Sequence, residues 1–334
     1  MRYVTFALSS SPKQPRLGAM LDELVIDLLT ARTWSQGEQS LPAEPIPPTM
    51  LELLHLGTEA HDYLQKLVGS LDGVDPLKAN GAGRVAVGYK LTDVVLYPPL
   101  PRPMSLRDFY AFESHVKAGN AIRGRDVPPQ WYEIPVFYYS NVGSIYGPGE
   151  SVPYPSSSKA LDYELEVACV IGTRGRNITV EQAEAYIFGY MIFNDWSARD
   201  EQRKEMAVGL GPAKGKDFAS SFGPAIVTPD ELADTATDRP GVYDLSMSAR
   251  VNDDERSRGN WKDIHYSFGE MIARASADVY LMPGDVIGSG TVGTGSLLEL
   301  TSGDGPWLKD GDSVELEIER LGVLRNQIIA RANQ

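Results

Sequence analysis

The chain has 334 residues, of which 42% are hydrophobic and 23% charged, ordinary proportions for a globular protein of one large domain with an appendage, or of two domains. Its formal net charge of -14 argues against nucleic acid and anionic membrane as partners, because both would be repelled. A single cysteine, Cys169, rules out a disulfide framework and a thiolate zinc site, and it suits a reducing cytoplasm.

The opening "MRYVTFALSS" lacks the long apolar stretch of a signal peptide, and no segment nears the roughly 18 apolar residues of a membrane span. "RYVTFALS" and "RLGAMLDELVIDL", separated by a polar turn with a proline, predict a small meander of strands. Leu51, Leu54, Leu64, Leu67 and Val68 recur at helical spacing and predict one or two short helices, in which His55 and His61 are surface or packing residues. "YPPLPRPMSL" holds Pro98, Pro99, Pro101 and Pro103 and predicts an extended linker, placing a boundary between a small unit at 1–97 and a larger one at 104–334.

Short strand candidates dominate beyond the linker: "IPVFYYS", "LDYELEVACVIG", "FGPAIVT", "DLSMSARVN", "DVIGSGTVG", "SLLELT" and "DSVELEIERLGVLRNQIIA". Two helices are expected among them. Thr179 and Gln182 form a capping box at the head of "EQAEAYIFGYMIF", and "SFGEMIARASADVYL" is amphipathic. The fold class is therefore α+β, with the strands in several sheets or a rolled sandwich.

Within "ALDYELEVACVI", Asp162, Glu164 and Glu166 occupy alternate positions and share one side of a strand, roughly 7 Å apart. Tyr163, Leu165, Val167, Cys169 and Ile171 share the other, where Cys169 reads as a small core residue. Three like charges on one face have two explanations, a solvated surface or a bound cation. Carboxylates without a thiolate or a histidine pair suit a hard ion such as Mg²⁺, Ca²⁺ or Mn²⁺. Three more stretches carry polar residues that a core does not require. They are "LRDFYAFESH" with Asp108, Tyr110 and His115; "FNDWSARDEQRK" with Asp195, Arg199 and Gln202, on one face if helical; and "GPAKGKDF" with Lys216 in a Gly-rich loop. "GSGTVG" matches a dinucleotide fingerprint only superficially, since loop and strand rather than helix are expected after it. "GLGPAKGKD" has Leu210 and Asp217 where a phosphate loop needs Gly and Ser or Thr.

Seven motifs in order resemble the fumarylacetoacetate hydrolase family: "DFY" with a His seven residues after its Asp, "WYEIPVFY", "LDYELE", "FGYMIFNDWSARDEQ", "LGPAKGKDF", "SGT" and "GSLLEL", over roughly residues 100–325. The resemblance implies a mixed β-roll or sandwich catalytic domain, a small N-terminal SH3-like β domain, and a homodimer. It implies metal ligands at Asp108, Glu164, Glu166 and Asp195, with Asp162 an acceptor behind them rather than a ligand. Catalytic roles fall on His115, Glu299, Lys216, Arg199 and Gln202, and substrate contacts on Tyr110, Tyr138, Thr291 and either Arg123 or Arg125. Shorter members carry a Glu three residues after the catalytic His, where this chain has Ala118, so the Glu299 arrangement resembles the fumarylacetoacetase branch. The implied activity is metal-dependent hydrolysis of a C–C bond in a 1,3-diketo acid (fumarylacetoacetate, fumarylpyruvate or another acylpyruvate), in aromatic-compound or amino-acid catabolism. The alternative is a 2-oxo acid decarboxylase, hydratase or tautomerase working through the same metal enolate.

Overall fold

Tyr163, Leu165, Val167, Cys169 and Ile171 all enter one buried core, as their alternation predicts. Ala168 and Val170, on the carboxylate side of the same strand, enter a second core behind it. The strand Leu165–Ile171 is buried on both faces and lies in the middle of a large sheet, so the acidic face is not a solvated one. In this computed structural model residues 1–38 and 44–330 are described; residues 39–43 and 331–334, which belong to the expected units 1–97 and 104–334, lie outside the described residues.

Among the described residues, ten strands follow one another across the large sheet in the order Gly88–Lys90, Leu24–Asp27, Arg16–Leu21, Arg2–Leu8, Ser220–Val227, Ile187–Asn194, Leu165–Ile171, Asp285–Gly288, Ser105–Phe109 and Phe137–Ser140. Most pairings are antiparallel, but Asp285–Gly288 runs parallel to Ser105–Phe109, so the sheet is mixed. A second sheet, Asp254–Asn260, Ser246–Val251, Ser313–Ile318, Gly322–Ile329 and Ser151–Pro153, supplies Met247, Leu316 and Ile318 to the first core. The two sheets thus sandwich that core.

The strands within 1–97, a stretch expected as a small SH3-like domain, are hydrogen-bonded into the main sheet. Tyr3 pairs with Ile226, and the helices Met50–Leu56 and Thr58–Gly69 place Leu53, Leu54, Leu64 and Leu67 in the second core beside Val170, Met191 and Phe193. A sheet that is apolar on both faces requires a cover on each, and these helices supply the second. His61 packs there and accepts or donates a hydrogen bond at Tyr3 Oη, 2.9 Å away, while His55 is exposed.

Three expected elements differ. The helix after Thr179 is a short 3-10 turn, Val180–Tyr186, with its capping box present; the rest of the stretch is the buried strand Ile187–Asn194, because an apolar run of that length satisfies a central strand as well as a helix. "SLLELT" is a helical turn, Leu297–Leu300, rather than a strand. Asp195 follows a strand, and the helix begins only at Arg199, so the helical spacing expected between those two does not apply. No helix among the described residues is long and apolar enough to cross a membrane.

Candidate active site

The chain's reactive side chains converge at one end of five neighbouring strands. Asp108 pairs with Gly288 on one side and Tyr138 on the other, while Leu165 pairs with Asn194, which brings Glu164, Glu166 and Asp195 to the same end. One carboxylate oxygen from each of Asp108, Glu164, Glu166 and Asp195 lies within 4.8 Å of all the others, and all four residues are buried. Glycine at 288 permits this approach: a Cβ there would stand 2.5 Å from Asp108 Oδ1 and 2.8 Å from the Phe193 ring.

Four buried acids this close cannot all stay ionised without a counter-charge. Burial, and next the charge of Asp195, pushes Asp108 well above the ordinary carboxylate range; burial and then Asp108 do the same to Glu166. Burial also raises Asp195, against the pull of Lys216. Glu164 goes the other way: burial works to raise it, but Lys216 and Arg199 outweigh that and hold it low. Lys216, in its loop, is buried rather than a surface charge, and its Nζ donates to Glu164 Oε2 and Asp195 Oδ2, both at 2.5 Å. Gly290 N–H donates to Glu166 Oε2 at 3.0 Å and to Asp108 Oδ1 at 3.3 Å, and Thr291 Oγ1 donates to Glu166 Oε1 at 3.3 Å. Asp195 Oδ1 is buried and has no hydrogen-bond partner among the described residues. An orphaned carboxylate oxygen within an all-oxygen donor set fits a hard divalent cation.

His115, on the buried side of the helix Glu113–Ile122, is hydrogen-bonded through Nδ1 to Glu299 Oε1; its Nε2 lies 3.9 Å from Glu164 Oε1. The Tyr110 ring meets the imidazole edge-on at 5.4 Å. Tyr138 Oη donates to Asp195 Oδ2 at 2.6 Å. Arg199, the first residue of the helix Arg199–Val208, reaches Glu164 Oε1 through Nη2 at 2.8 Å and Gln202 Oε1 through Nη1 at 3.1 Å. These residues line a cavity of about 390 Å³ with both Arg123 and Arg125 at its rim, Arg125 Nε being tethered to Asn120 Oδ1 at 2.8 Å. Every expected site residue is therefore gathered around one cavity, apart from Asp195 and Glu299, which touch its lining from behind.

Several further contributors carry no signal in the sequence that marks their role. The backbone N–H of Gly290 was visible only as part of "SGT". Trp131 Nε1 donates to Tyr110 O at 2.8 Å and fixes the segment that carries Tyr110. Glu205 accepts the N–H groups of Ala213, Lys214 and Gly215, which anchors the loop that delivers Lys216. Gly215 lets that loop lie on the helix backbone at Gln202, where a Cβ would stand 2.7 Å from Gln202 N.

Comparison with known proteins shows what the chain is similar to. A mitochondrial oxaloacetate tautomerase of Xenopus laevis is 30% identical, the match covering 98% of this chain and 90% of the relative. Fumarylacetoacetase of Arabidopsis thaliana is 28% identical over 91% and 87% of the two chains. The solved fumarylacetoacetate hydrolase from Exiguobacterium antarcticum superposes with a TM-score of 0.69 at 26% identity, covering 99% of this chain and all of that one. Residues 105–329, the stretch holding all the clustered acids, His115 and Glu299, match the family described as fumarylacetoacetate (FAA) hydrolase C-terminal, and to that family of hydrolases and isomerases the chain belongs.

Proposed function

We propose that the protein hydrolyses a C–C bond of a 1,3-diketo acid, an acylpyruvate or a relative such as fumarylpyruvate or fumarylacetoacetate. The observation carrying this reading is the His115–Glu299 pair. With Nδ1 engaged by Glu299, the imidazole turns Nε2 toward the acid cluster, the arrangement of a general base beside a polarising centre. Asp108, Glu164, Glu166 and Asp195 would hold the cation, Mg²⁺ with Ca²⁺ or Mn²⁺ as substitutes. When bound, the ion supplies Lewis-acid polarisation of the diketo oxygens.

His115 takes a proton from water as the water oxygen bonds to the distal carbonyl carbon. The C–C bond of that adduct then breaks, and its electron pair passes to the adjoining carbonyl as an enolate. Lys216 and Arg199 supply positive charge for the enolate, Gln202 holds Arg199, and Glu299 balances the imidazolium. His115 finally returns the proton to the enolate carbon. Tyr110, Tyr138, Thr291 and the rim arginines Arg123 and Arg125 would frame the substrate.

A second reading, tautomerisation of a 2-oxo acid, draws support from the Xenopus relative, whose match spans almost the whole chain. It requires proton transfer at carbon but no water. The test compares wild type and His115→Ala on an acylpyruvate and on oxaloacetate. Hydrolysis predicts acylpyruvate cleavage by wild type, a loss of roughly 10²- to 10⁴-fold in the variant, and intact Mn²⁺ binding. A wild-type protein that interconverts oxaloacetate tautomers and leaves acylpyruvates uncleaved would overturn it.

A further inference from the structure

Asp162 is the acid of the alternating trio that takes no part in the cluster. It is fully buried and does not line the cavity. Its Oδ1 accepts the Leu297 N–H at 2.8 Å, and its Oδ2 accepts the Leu298 N–H at 3.0 Å. Oδ2 also receives Arg199 Nε at 2.8 Å and stands 2.8 Å from Arg199 Nη2. One carboxylate therefore grips two parts of the site. Arg199 continues from it to Glu164, and Leu297–Leu300 is the turn that carries Glu299 to His115.

We propose that Asp162 is a positioning residue that fixes the guanidinium of Arg199 and the Glu299–His115 pair in a single register. The inference rests on the proposed roles of those groups but not on which reaction they perform. Every neighbour of the Asp162 carboxylate among these contacts is a donor. An amide at this position offers one acceptor oxygen and presents an NH₂ group to the remaining donors, so one of the two arms must move. Since Asp162 does not itself line the cavity but bonds Arg199 and Leu298, which do, its removal acts on binding and rate through Arg199 and the Leu297–Leu300 turn that carries Glu299.

The experiment uses the full chain with Asp162→Asn and two readouts independent of turnover. The first is the low-field proton resonance of the imidazole N–H bonded to Glu299, assigned by its absence in His115→Ala. The second is the affinity of the Mn²⁺-loaded protein for oxalate, a planar dianion like an enolate. The proposal expects the resonance to shift or broaden, oxalate binding to weaken by about 10-fold through Arg199, and turnover on whichever substrate wild type accepts to fall by roughly 10- to 100-fold. An Asp162→Asn protein with unchanged circular dichroism, resonance and oxalate affinity would overturn it. Should Asp162→Asn not fold, the neutral pair Asp162→Asn with Arg199→Gln removes the uncompensated charge and is compared with Arg199→Gln alone. A resonance shifted only in the pair supports the proposal, and identical resonances refute it. Failure of wild type to cleave acylpyruvates would sink the hydrolase reading while leaving these two readouts decisive for Asp162.

Discussion

Gly288→Ala tests whether the close approach of two strands at the acid cluster sets cation affinity. The added Cβ would lie 2.5 Å from Asp108 Oδ1 and 2.8 Å from Phe193, against a comfortable separation of about 3.5 Å. Phe193 cannot yield, being fully buried and packed on Phe222 with ring centroids 5.1 Å apart. Asp108 must therefore retreat by about 1 Å, whereas metal–ligand distances tolerate only about 0.2 Å. Gly288 is not among the positive-φ glycines, so the effect is steric; the roughly 0.4–1 kcal/mol gained from a stiffer unfolded chain is outweighed by an overpacking cost of about 1–3 kcal/mol. Losing one well-placed carboxylate should weaken Mn²⁺ about 100-fold, which removes about 2.7 kcal/mol of metal-linked stabilisation at saturating ion. The assay is a pair of thermal melts, with chelator and with Mn²⁺, supported by calorimetric titration. The variant should melt slightly below wild type in chelator and show a much smaller rise with metal. A variant whose Mn²⁺ affinity stays within about threefold of wild type would refute the steric argument.

Three further outcomes are expected. Because burial and neighbouring acids raise Asp108 and Glu166 in the metal-free protein, cation binding should release protons and weaken as pH falls through their raised values; calorimetric heats that do not depend on the ionisation enthalpy of the buffer would contradict this. Glu164→Ala should abolish metal binding and also destabilise the apo protein by about 1.5–3 kcal/mol, since buried Lys216 and Arg199 lose their shared partner while keeping Asp195 and Asp162; an unchanged denaturation midpoint would count against it. Burial works to raise Glu205, but the N–H groups it accepts outweigh that and hold it below its ordinary value, so its contribution is present above the usual carboxylate range and lost as pH falls through its lowered value. Glu205→Gln should lower turnover by loosening the Lys216 loop and flatten the acid limb of the stability curve, measured by denaturant titration across pH.

The alternation within Leu165–Ile171 was legible because strand geometry allows no other partition of its side chains, and both faces of that strand are where it puts them. The expected single strand breaks before it, however, and Asp162 sits in a separate short strand, Leu161–Asp162, paired with Ser197–Ala198. The placement of Asp108, His115 and Lys216 in one site came from resemblance, since spacing along the chain carries no information about which strands become neighbours. "IFGYMIFN" misled for a physical reason: a run buried on both sides has no period to read. The turn Leu297–Leu300 was hidden because Asp162, 135 residues away, accepts its first N–H. Residues 1–97 looked separate because of the proline-rich stretch, and nothing in their sequence announces the pairing of Tyr3 with Ile226.

That pairing bears on any attempt to trim the protein to its family-matched part. A fragment starting near Pro98 would retain every acid of the cluster together with His115 and Glu299. It would also strip the partner from the Ile226–Val227 end of its strand and bare Ala168, Val170, Met191 and Phe193 to water. An open strand end beside an uncovered apolar sheet invites edge-to-edge association. Such a fragment would be recovered as insoluble material rather than as a slower enzyme, and deletion would misreport what the first hundred residues do.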